Sequence, residues 1–323
     1  MSDLPLASVI LIASDGPEPL GPILSRLRAQ SIAHGLELVL AAPGDTKALE
    51  RSLEASDFYR IRVVEADLST SARARCAAIR AATAPIVILA EDHAFPVSDS
   101  WAADLIAALD GPFDAAGPVI ENANPKTAIS WAILAIEYGP WISGHRRYET
   151  DYIPGHNSAY RREVLFALDN HLESLMEAEY MLHRQMRADG RRLIVDPRIR
   201  VRHVNHSKIA TATHIVYAGG KVFAAERAKD WSGLRRGAYA AAFPAIGLVR
   251  YARMLRDLAS IDTRPGPPFR VVLGCAWLAA ANALGEGMGY LFGAGRDRAT
   301  YAQLEYGRWR HIQKGEMQTA LTR

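Results

Sequence analysis

The sequence predicts an α/β fold in which a doubly wound, mostly parallel sheet is followed by a region of apolar helices. Short β-branched runs alternate with amphipathic stretches over residues 7–93, and this alternation is typical of strand–helix repeats. The run at residues 84–90, Ala-Pro-Ile-Val-Ile-Leu-Ala, is apolar almost throughout, as expected of a strand buried on both faces of a parallel sheet. From residue 210 onward, long apolar segments with neighbouring arginines replace the alternation.

The first half of the chain shows the strand–helix order of a nucleotide-binding unit. Gly, Pro and Asp mark its turns, as in the segment Ser14-Asp15-Gly16-Pro17 after the first strand,. We expect strands at residues 7–13, 37–42, 59–65 and 84–90, and helices at residues 20–30, 46–55 and 69–82.

After residue 93 the pattern is less regular. Apolar spacing predicts helices at residues 97–109, 127–138, 162–170 and 175–189, and strands at 115–121, 192–195 and 199–204,. Ser98 or Asp99 is the expected N-cap of the first of these helices, and Gly190 is expected to end the last one. Residues 139–152 are an aromatic, glycine-containing loop.

Composition excludes several classes of protein. A formal net charge of +3 is too small to indicate nucleic-acid binding. Cys76 and Cys275 are far apart in apolar surroundings, which favours a reducing compartment without disulfides. The N-terminus lacks a basic segment followed by an apolar one, so we expect no signal peptide and a cytoplasmic location.

Four motifs follow one another along the chain. They are Glu91-Asp92-His93 after the buried strand, Gly155-His156-Asn157 in a loop, Glu177-Ala178-Glu179 before a helix ending at Gly190, and Val201-Arg202-His203 in the last strand. In this order they resemble the family-2 glycosyltransferases of the GT-A fold, over residues 7–206. The resemblance implies a nucleotide-sugar-binding half at residues 1–110, an acceptor half at 111–209 and a helical membrane-associating region at 210–323.

The first and last motifs imply a divalent-cation site. A cation such as Mn²⁺ or Mg²⁺ stabilises the negative charge of a diphosphate leaving group. Asp92 is the first choice of ligand and Glu91 the second, while His203 as a third ligand would favour Mn²⁺. His206 is the alternative to His203, and either histidine could instead be a structural residue.

Glu179 is the residue that the resemblance places as general base. It would take the proton of an acceptor hydroxyl as that oxygen attacks the anomeric carbon, in a single displacement with inversion. A carboxylate with a somewhat raised pKa suits this role. The alternative is that Glu177 and Glu179 only interact favourably with the N-terminus of a helix.

The pocket residues are assigned less specifically. Gly155, His156 and Asn157, with Trp141 from the aromatic loop, are expected to line the sugar and acceptor pocket. Family members carry an aspartate after the second strand that contacts the nucleotide, and this role falls to Asp45 or to the pair Ser14 and Asp15 after the first strand. Arg75, like Arg73, could approach the phosphates, although a solvated helix face explains both arginines equally well. His93 stands where the family usually has a second aspartate.

The last third of the chain indicates membrane association. Residues 238–249 and 271–293 are apolar, and Arg250, Arg253 and Arg256 follow the first run at helical spacing. The second run is long enough to span a bilayer, but Glu286 within it would then need a partner. Spanning, lying in the plane of a membrane, and packing as a buried helical subdomain or dimer interface remain alternatives.

These observations predict an inverting, metal-dependent glycosyltransferase at the cytoplasmic face of a membrane. Its partners would be a nucleotide-sugar donor and a lipid-linked or membrane acceptor, and it could form homo-oligomers. One alternative is a membrane scaffold that kept the fold and lost catalysis. A sugar-nucleotide nucleotidyltransferase is disfavoured because no glycine-rich, lysine-containing loop follows the first strand,.

Overall fold

A computed structural model describes residues 4–53, 56–144, 146–261 and 267–322, and the chain divides into two units. The first unit takes the chain up to Val119 together with Gly144–Arg202. The second takes Ile120–Ser143 and the chain from His203 onward. The domain boundary expected after residue 209 stays a prediction.

Within the described residues, one sheet contains nine strands in the order β3-β2-β1-β4-β8-β6-β9-β5, with β7 paired to β9. Strands β3, β2, β1 and β4 pair in parallel, whereas β8 is antiparallel to both β4 and β6. The strands are β1 Ala7–Ile12, β2 Leu36–Ala42, β3 Arg60–Glu65, β4 Ile86–Leu89, β5 Ala94–Pro96, β6 Ala115–Asn122, β7 Tyr148–Thr150, β8 Ala159–Arg161 and β9 Leu193–His203. All residues of β2 and β4 are buried, as expected of central parallel strands.

Helices connect the strands and form the C-terminal region. Those between strands are α1 Gly21–Arg28, α2 Thr46–Ser52, α3 Ser71–Ala81, α4 Trp101–Ala108, α5 Ala128–Tyr138, α6 Arg162–Ala167, α7 Asp169–Met176 and α8 Glu179–Ala188. The C-terminal helices are α9 Ile209–Arg227, α10 Gly233–Ala241, α11 Phe243–Ala259, α12 Phe269–Phe292, α13 Asp297–Tyr306 and α14 Lys314–Thr322. The predicted α/β fold class, with apolar helices at its end, is confirmed.

Several predicted boundaries are wrong for identifiable reasons. Helix α4 begins after Ser100 and not after Ser98 or Asp99, because the carbonyl groups of those two residues accept hydrogen bonds from Gln30 and Ser31. The predicted strands 192–195 and 199–204 form the single strand β9. Strand β5 is not predicted because its three residues are too few to show a period. Helix α9 is not predicted because its small residues obscure the apolar face. Residues 54–55, at the end of one predicted helix, lie outside the described residues.

Glycines bring α12 into backbone contact with α9. A Cβ at Gly285 would lie 2.1 Å from the Tyr217 carbonyl oxygen, and one at Gly289 would lie 2.4 Å from that of Lys221. Since real Cβ atoms do not approach so closely, this crossing requires glycine. The buried Glu286 carboxylate forms an ion pair with Arg250.

Candidate active site

The strand that organises the site is β4, which ends just before Glu91, Asp92 and His93. Its parallel neighbour β1 accepts a hydrogen bond at Ile10 O from the backbone N–H of Ala90, at 2.9 Å. This bond extends the parallel pairing to the residue before Glu91. In open α/β sheets, ligands bind beyond the carboxyl ends of parallel strands. The Glu91 side chain is nevertheless buried, at 6% exposure, so its charge requires partners.

The first partner comes from the loop before β8. Asn157 donates from Nδ2 to Glu91 Oε2 at 3.1 Å. Its φ of +63° lies in the left-handed region, which is unusual for a residue other than glycine and is often found at functional sites. The loop also passes close to β6, because Gly117 lacks a Cβ that would lie 2.7 Å from Pro154 Cδ.

Two helices supply the other charged groups. Helix α3 carries Arg75, which is 6% exposed, and α8 begins with Glu179. The Arg75 guanidinium lies 3.5 Å from Glu91 Oε1 and donates to Glu179 Oε1 at 3.2 Å. One arginine therefore contacts both carboxylates.

His156 also contacts both carboxylates. Its Nδ1 lies 3.1 Å from Glu91 Oε1, and its Nε2 lies 2.8 Å from Glu179 Oε1. We call Arg75, Glu91, His156 and Glu179 the carboxylate network. It places two acidic side chains between two basic ones, so a protonated His156 ring would make the four groups neutral in sum.

The network shifts the pKa values of its members. Burial alone would raise the pKa of Glu179, but the His156 ring and the Arg75 guanidinium outweigh burial and hold that pKa below its usual value. Burial and Arg75 lower the pKa of His156, but the two carboxylates outweigh them and raise it. This direction is opposite to the somewhat raised pKa that suits a general base, because His156 and Arg75 both contact the carboxylate,.

A second buried layer supports the loop. Tyr160 Oη donates to Gly155 O at 3.3 Å and lies 2.9 Å from Nε2 of His183. Burial lowers the pKa of His183 to about 4, so this ring is neutral at physiological pH. A Cβ on Gly155 would lie 2.4 Å from Glu179 Cδ, and only glycine lets the carboxylate approach the loop this closely.

The residues predicted to bind a cation fit one by the chemistry of their donor atoms. Asp92 Oδ1 lies 2.7 Å from His93 Nδ1, a contact that does not involve Oδ2. Both oxygens of Glu91 face other side chains of the site, and His93 Nε2 lies 3.7 Å from Glu91 Oε1, so the choice of Asp92 as first ligand stays a prediction. In the second unit, His203 Nδ1 lies 2.9 Å from Asn205 Oδ1. This contact favours the tautomer with a lone pair on Nε2, which lies 3.3 Å from the Tyr138 hydroxyl, so a cation at this nitrogen would displace that contact.

The structure places the other predicted residues as follows. Ser14 is partly buried and Asp15 is exposed in the turn after β1. Asp45 is the N-cap of α2 and accepts from the Ala48 N–H at 3.0 Å. Trp141 ends a short 3-10 helix in the second unit. Arg73 forms exposed ion pairs with Asp67 and Glu173, and His206 stacks on His311.

Sequence reasoning missed the Tyr160–His183 layer and the double contact of Arg75. A signal for His183 was present, since it lies four residues after Glu179 and therefore on the same face of α8. Nothing in the spacing of Arg75 distinguished it from the solvated Arg73.

Fold and site together define an α/β protein with a buried, charged site at the carboxyl end of a central parallel strand. The chain belongs to the family described as glycosyl transferase family 2, whose sequence model matches residues 8–168. The family predicted from the motifs is thereby confirmed, and with it the prediction of a glycosyltransferase. The matched residues include Glu91 and His156 but end before Glu179 and His203, and the roles of all the predicted site residues stay predictions.

Solved structures are similar to the chain at low identity. One is a mannosyltransferase from Pyrobaculum calidifontis in complex with GDP-Man and Mn²⁺, with 19% identity and a TM-score of 0.48 over 99% of this chain and 86% of that one. GalNAc-T7 with UDP, GalNAc and Mn²⁺ has 18% identity and a TM-score of 0.46, over 63% of this chain and 44% of its own. A mycobacterial protein has 15% identity and a TM-score of 0.44, over 70% of this chain and 74% of its own. No curated protein sequence matches the chain.

Proposed function

We propose that the chain is an inverting, metal-dependent glycosyltransferase that moves a sugar, of hexose type, from a nucleotide-sugar donor to a hydroxyl group. The observation that carries this proposal is the carboxylate network. In a family-2 chain, it joins a carboxylate at the end of β4 to the Glu179 carboxylate through shared basic partners.

Glu179 acts as the general base in this proposal. Because its pKa lies below the usual value, the side chain is ionised at neutral pH and can accept a proton. It takes the proton of the acceptor hydroxyl while that oxygen bonds to the anomeric carbon, and the bond from that carbon to the diphosphate breaks on the opposite face. A diphosphate that draws Arg75 away from Glu179 would raise the pKa of the carboxylate and make it a stronger base.

Asp92, with Glu91 and His203, is proposed to hold a divalent cation, either Mn²⁺ or Mg²⁺. When bound, the cation supplies positive charge to the diphosphate leaving group. Arg75 adds charge from the protein side. Asn157 holds the Glu91 carboxylate in place through its hydrogen bond.

Donor and acceptor selection are assigned to the flanking segments. Ser14, Asp15 and Asp45 follow the first two parallel strands and are proposed to contact the nucleoside. Gly155, His156 and Trp141 are proposed to contact the sugar and the acceptor. The acceptor is proposed to be a lipid-linked or membrane molecule at the cytoplasmic face, since the C-terminal helices contain one segment, Phe269–Phe292, long and apolar enough to cross a membrane.

Thermal unfolding in the presence of nucleoside diphosphates, each with and without Mn²⁺, tests the donor and metal assignments. A ligand that binds only the folded protein raises its melting temperature by mass action. We expect one nucleotide to raise the melting temperature only with Mn²⁺, and Asp92→Asn to abolish the shift. Asp189→Asn, at the exposed end of α8, is the matched control and should keep it.

A catalytically inactive scaffold is the second candidate. It is favoured by His93, which stands where the family usually has an aspartate, and by Asp45, whose carboxylate caps α2. Absence of a shift with every nucleotide, together with no donor hydrolysis by the unaltered protein, would support the scaffold and overturn the enzyme.

A further inference from the structure

Helix α12 carries an apolar stripe along its full length. Its large apolar side chains at helical spacing are between 45% and 73% exposed: Phe269, Leu273, Trp277, Leu284 and Leu291. The small residues Ala276 and Ala280 between them are exposed as well. We call these seven residues the apolar stripe. A continuous apolar surface of this kind on a protein normally meets a partner or a membrane.

The opposite side of α12 is fixed within the second unit. Gly285 and Gly289 contact the backbone of α9, and Glu286 is paired with Arg250 of α11. Because α9 and α11 pack along α12, a bilayer-crossing α12 would take their charged residues, such as Lys221 and Arg253, into hydrocarbon at high cost. This packing argues against α12 crossing a membrane.

The neighbouring helix widens the apolar surface. Leu248 and Val249 of α11 are 69% and 51% exposed. Two apolar grooves adjoin the stripe: one of about 440 Å³ between α11 and α12, and one of about 660 Å³ that also reaches α9. Phe243 and Ala280 line both grooves.

Charge identifies the kind of partner. In the described part of residues 233–292, the acidic side chains are Asp257 and Glu286, both buried and both paired with an arginine. Arg235, Arg253 and Arg270 are exposed in the same segment. An apolar face bordered by exposed arginines suits the surface of an anionic lipid bilayer.

We infer that α12 lies in the plane of an anionic lipid bilayer, with the apolar stripe inserted among the acyl chains and the arginines at the headgroups. The inference rests on the membrane location proposed above and specifies how the chain reaches it. It depends on residues of the second unit alone, so it can fail or succeed independently of the catalytic assignments.

Vesicle binding tests the inference directly. The full chain is mixed with phosphatidylcholine vesicles with and without phosphatidylserine, and the bound fraction is measured by flotation. We expect Leu284→Glu to weaken binding by about tenfold or more, because the variant no longer gains the free energy of moving a leucine side chain from water into the acyl chains. Leu321→Glu in α14 is the matched control, since Leu321 and Leu284 are 43% and 45% exposed, and it should bind as the unaltered chain does.

The arginines provide a second variant that leaves the stripe intact. Arg253→Glu combined with Arg270→Glu should lower binding to phosphatidylserine vesicles by about fivefold or more for each arginine, and added salt should reduce the difference. Binding to pure phosphatidylcholine should change little. Equal losses on both kinds of vesicle would contradict the proposed role of charge.

Thiol labelling distinguishes an α12 helix that lies in the plane of the bilayer from one that crosses it. The native thiols Cys76 and Cys275 are buried, so Pro268→Cys and Phe292→Cys, at exposed positions outside the apolar stripe, introduce accessible thiols at the two ends of α12. With protein added to preformed vesicles, an impermeant maleimide should label both ends from outside. Labelling of one end only, until detergent is added, would show a crossing helix and overturn the inference.

Two further outcomes would overturn it. If Leu284→Glu converts a dimer into a monomer without changing vesicle binding, a second copy of the chain covers the stripe. If the control Leu321→Glu loses binding equally, the stripe is not the docking surface. Donor hydrolysis in solution is measured in parallel and should be unchanged in Leu284→Glu, so a failure of the proposed activity remains distinguishable.

Discussion

Two buried groups of charges in this protein use similar side chains in different ways. The carboxylate network lies where a strand, a loop and two helices converge, and each of its basic side chains contacts both acids. The Arg250–Glu286 pair lies between two long helices, and each charge has one oppositely charged partner. The surrounding backbone also differs, because the network includes the left-handed Asn157, whereas the pair lies beside glycines that fix a helix crossing.

This difference in the number of charged partners indicates which buried charges are available for chemistry. In the network, a ligand phosphate could replace one contact of Arg75 without leaving either carboxylate unpaired, since His156 contacts both. In the Arg250–Glu286 pair, loss of Arg250 would leave the buried Glu286 carboxylate without its ion-pair partner, which is strongly unfavourable. We therefore interpret the network as a ligand-responsive site and the pair as a structural contact, and the following predictions test that interpretation.

The largest effect is expected for Glu179→Gln. The amide cannot accept the acceptor proton, so turnover should fall by about 10²- to 10⁴-fold, with little change in melting temperature. The measurement is sugar transfer from nucleotide sugars that carry the nucleoside diphosphate identified by thermal unfolding. Glu177→Gln is the control, because Glu177 directly follows α7 and lies before α8, which begins with Glu179. Equal turnover in Glu179→Gln and the unaltered protein would remove the general base from the mechanism.

Arg250→Ala should be the most destabilising change in the helical region. It leaves the Glu286 carboxylate buried without its ion-pair partner, and such losses cost about 3–5 kcal/mol. Urea unfolding measures this change in the free energy of unfolding. The double variant Arg250→Met with Glu286→Leu should recover much of it, since an apolar pair can replace a buried ion pair. A double variant as unstable as the single one would show that Arg250 stabilises the helices by other contacts.

The sequence predicted strands β1 to β4 and β6 because they are short apolar runs between clear turns, and it missed β5, β7 and β8, which are three residues long each. The family resemblance placed Glu179 at the start of a helix by its spacing back from Gly190, as in the structure, whereas the apolar spacing began that helix at residue 175. The network could not be predicted in this way. Arg75 is separated from Glu179 by 104 positions, and its contact depends on how α3 and α8 pack, as does the lowered pKa of Glu179. Exposure of one face of α12 likewise depends on which helices cover the other face.

The layer beneath the network should make stability depend on pH. His183 has a pKa of about 4 in the fold against an ordinary value of 6.5, so the unfolded chain binds the proton more readily. The stability that depends on a neutral His183 is fully present above pH 6.5 and is lost as the pH falls towards 4. Between about pH 7.5 and about pH 4.5, the unaltered protein should lose roughly 2–3 kcal/mol through this residue. In urea unfolding at both pH values, the free energy of unfolding of His183→Gln should change with pH by that much less than that of the unaltered protein. The same change in both proteins would show that His183 does not cause the pH dependence.

Paired glycine substitutions give the sharpest comparison of the two regions, with the smallest changes in free energy. At Gly155 the atoms that an added Cβ meets belong to the Glu179 side chain, whereas at Gly285 they belong to the backbone of Tyr217. Gly155→Ala should therefore displace the carboxylate and lower turnover by roughly tenfold to a hundredfold, with a stability change below about 1 kcal/mol. Gly285→Ala should cost about 1–3 kcal/mol of stability and leave turnover of the folded protein unchanged. If both variants lose stability and neither loses turnover, Gly155 only permits packing, and its contact with Glu179 does not position the base.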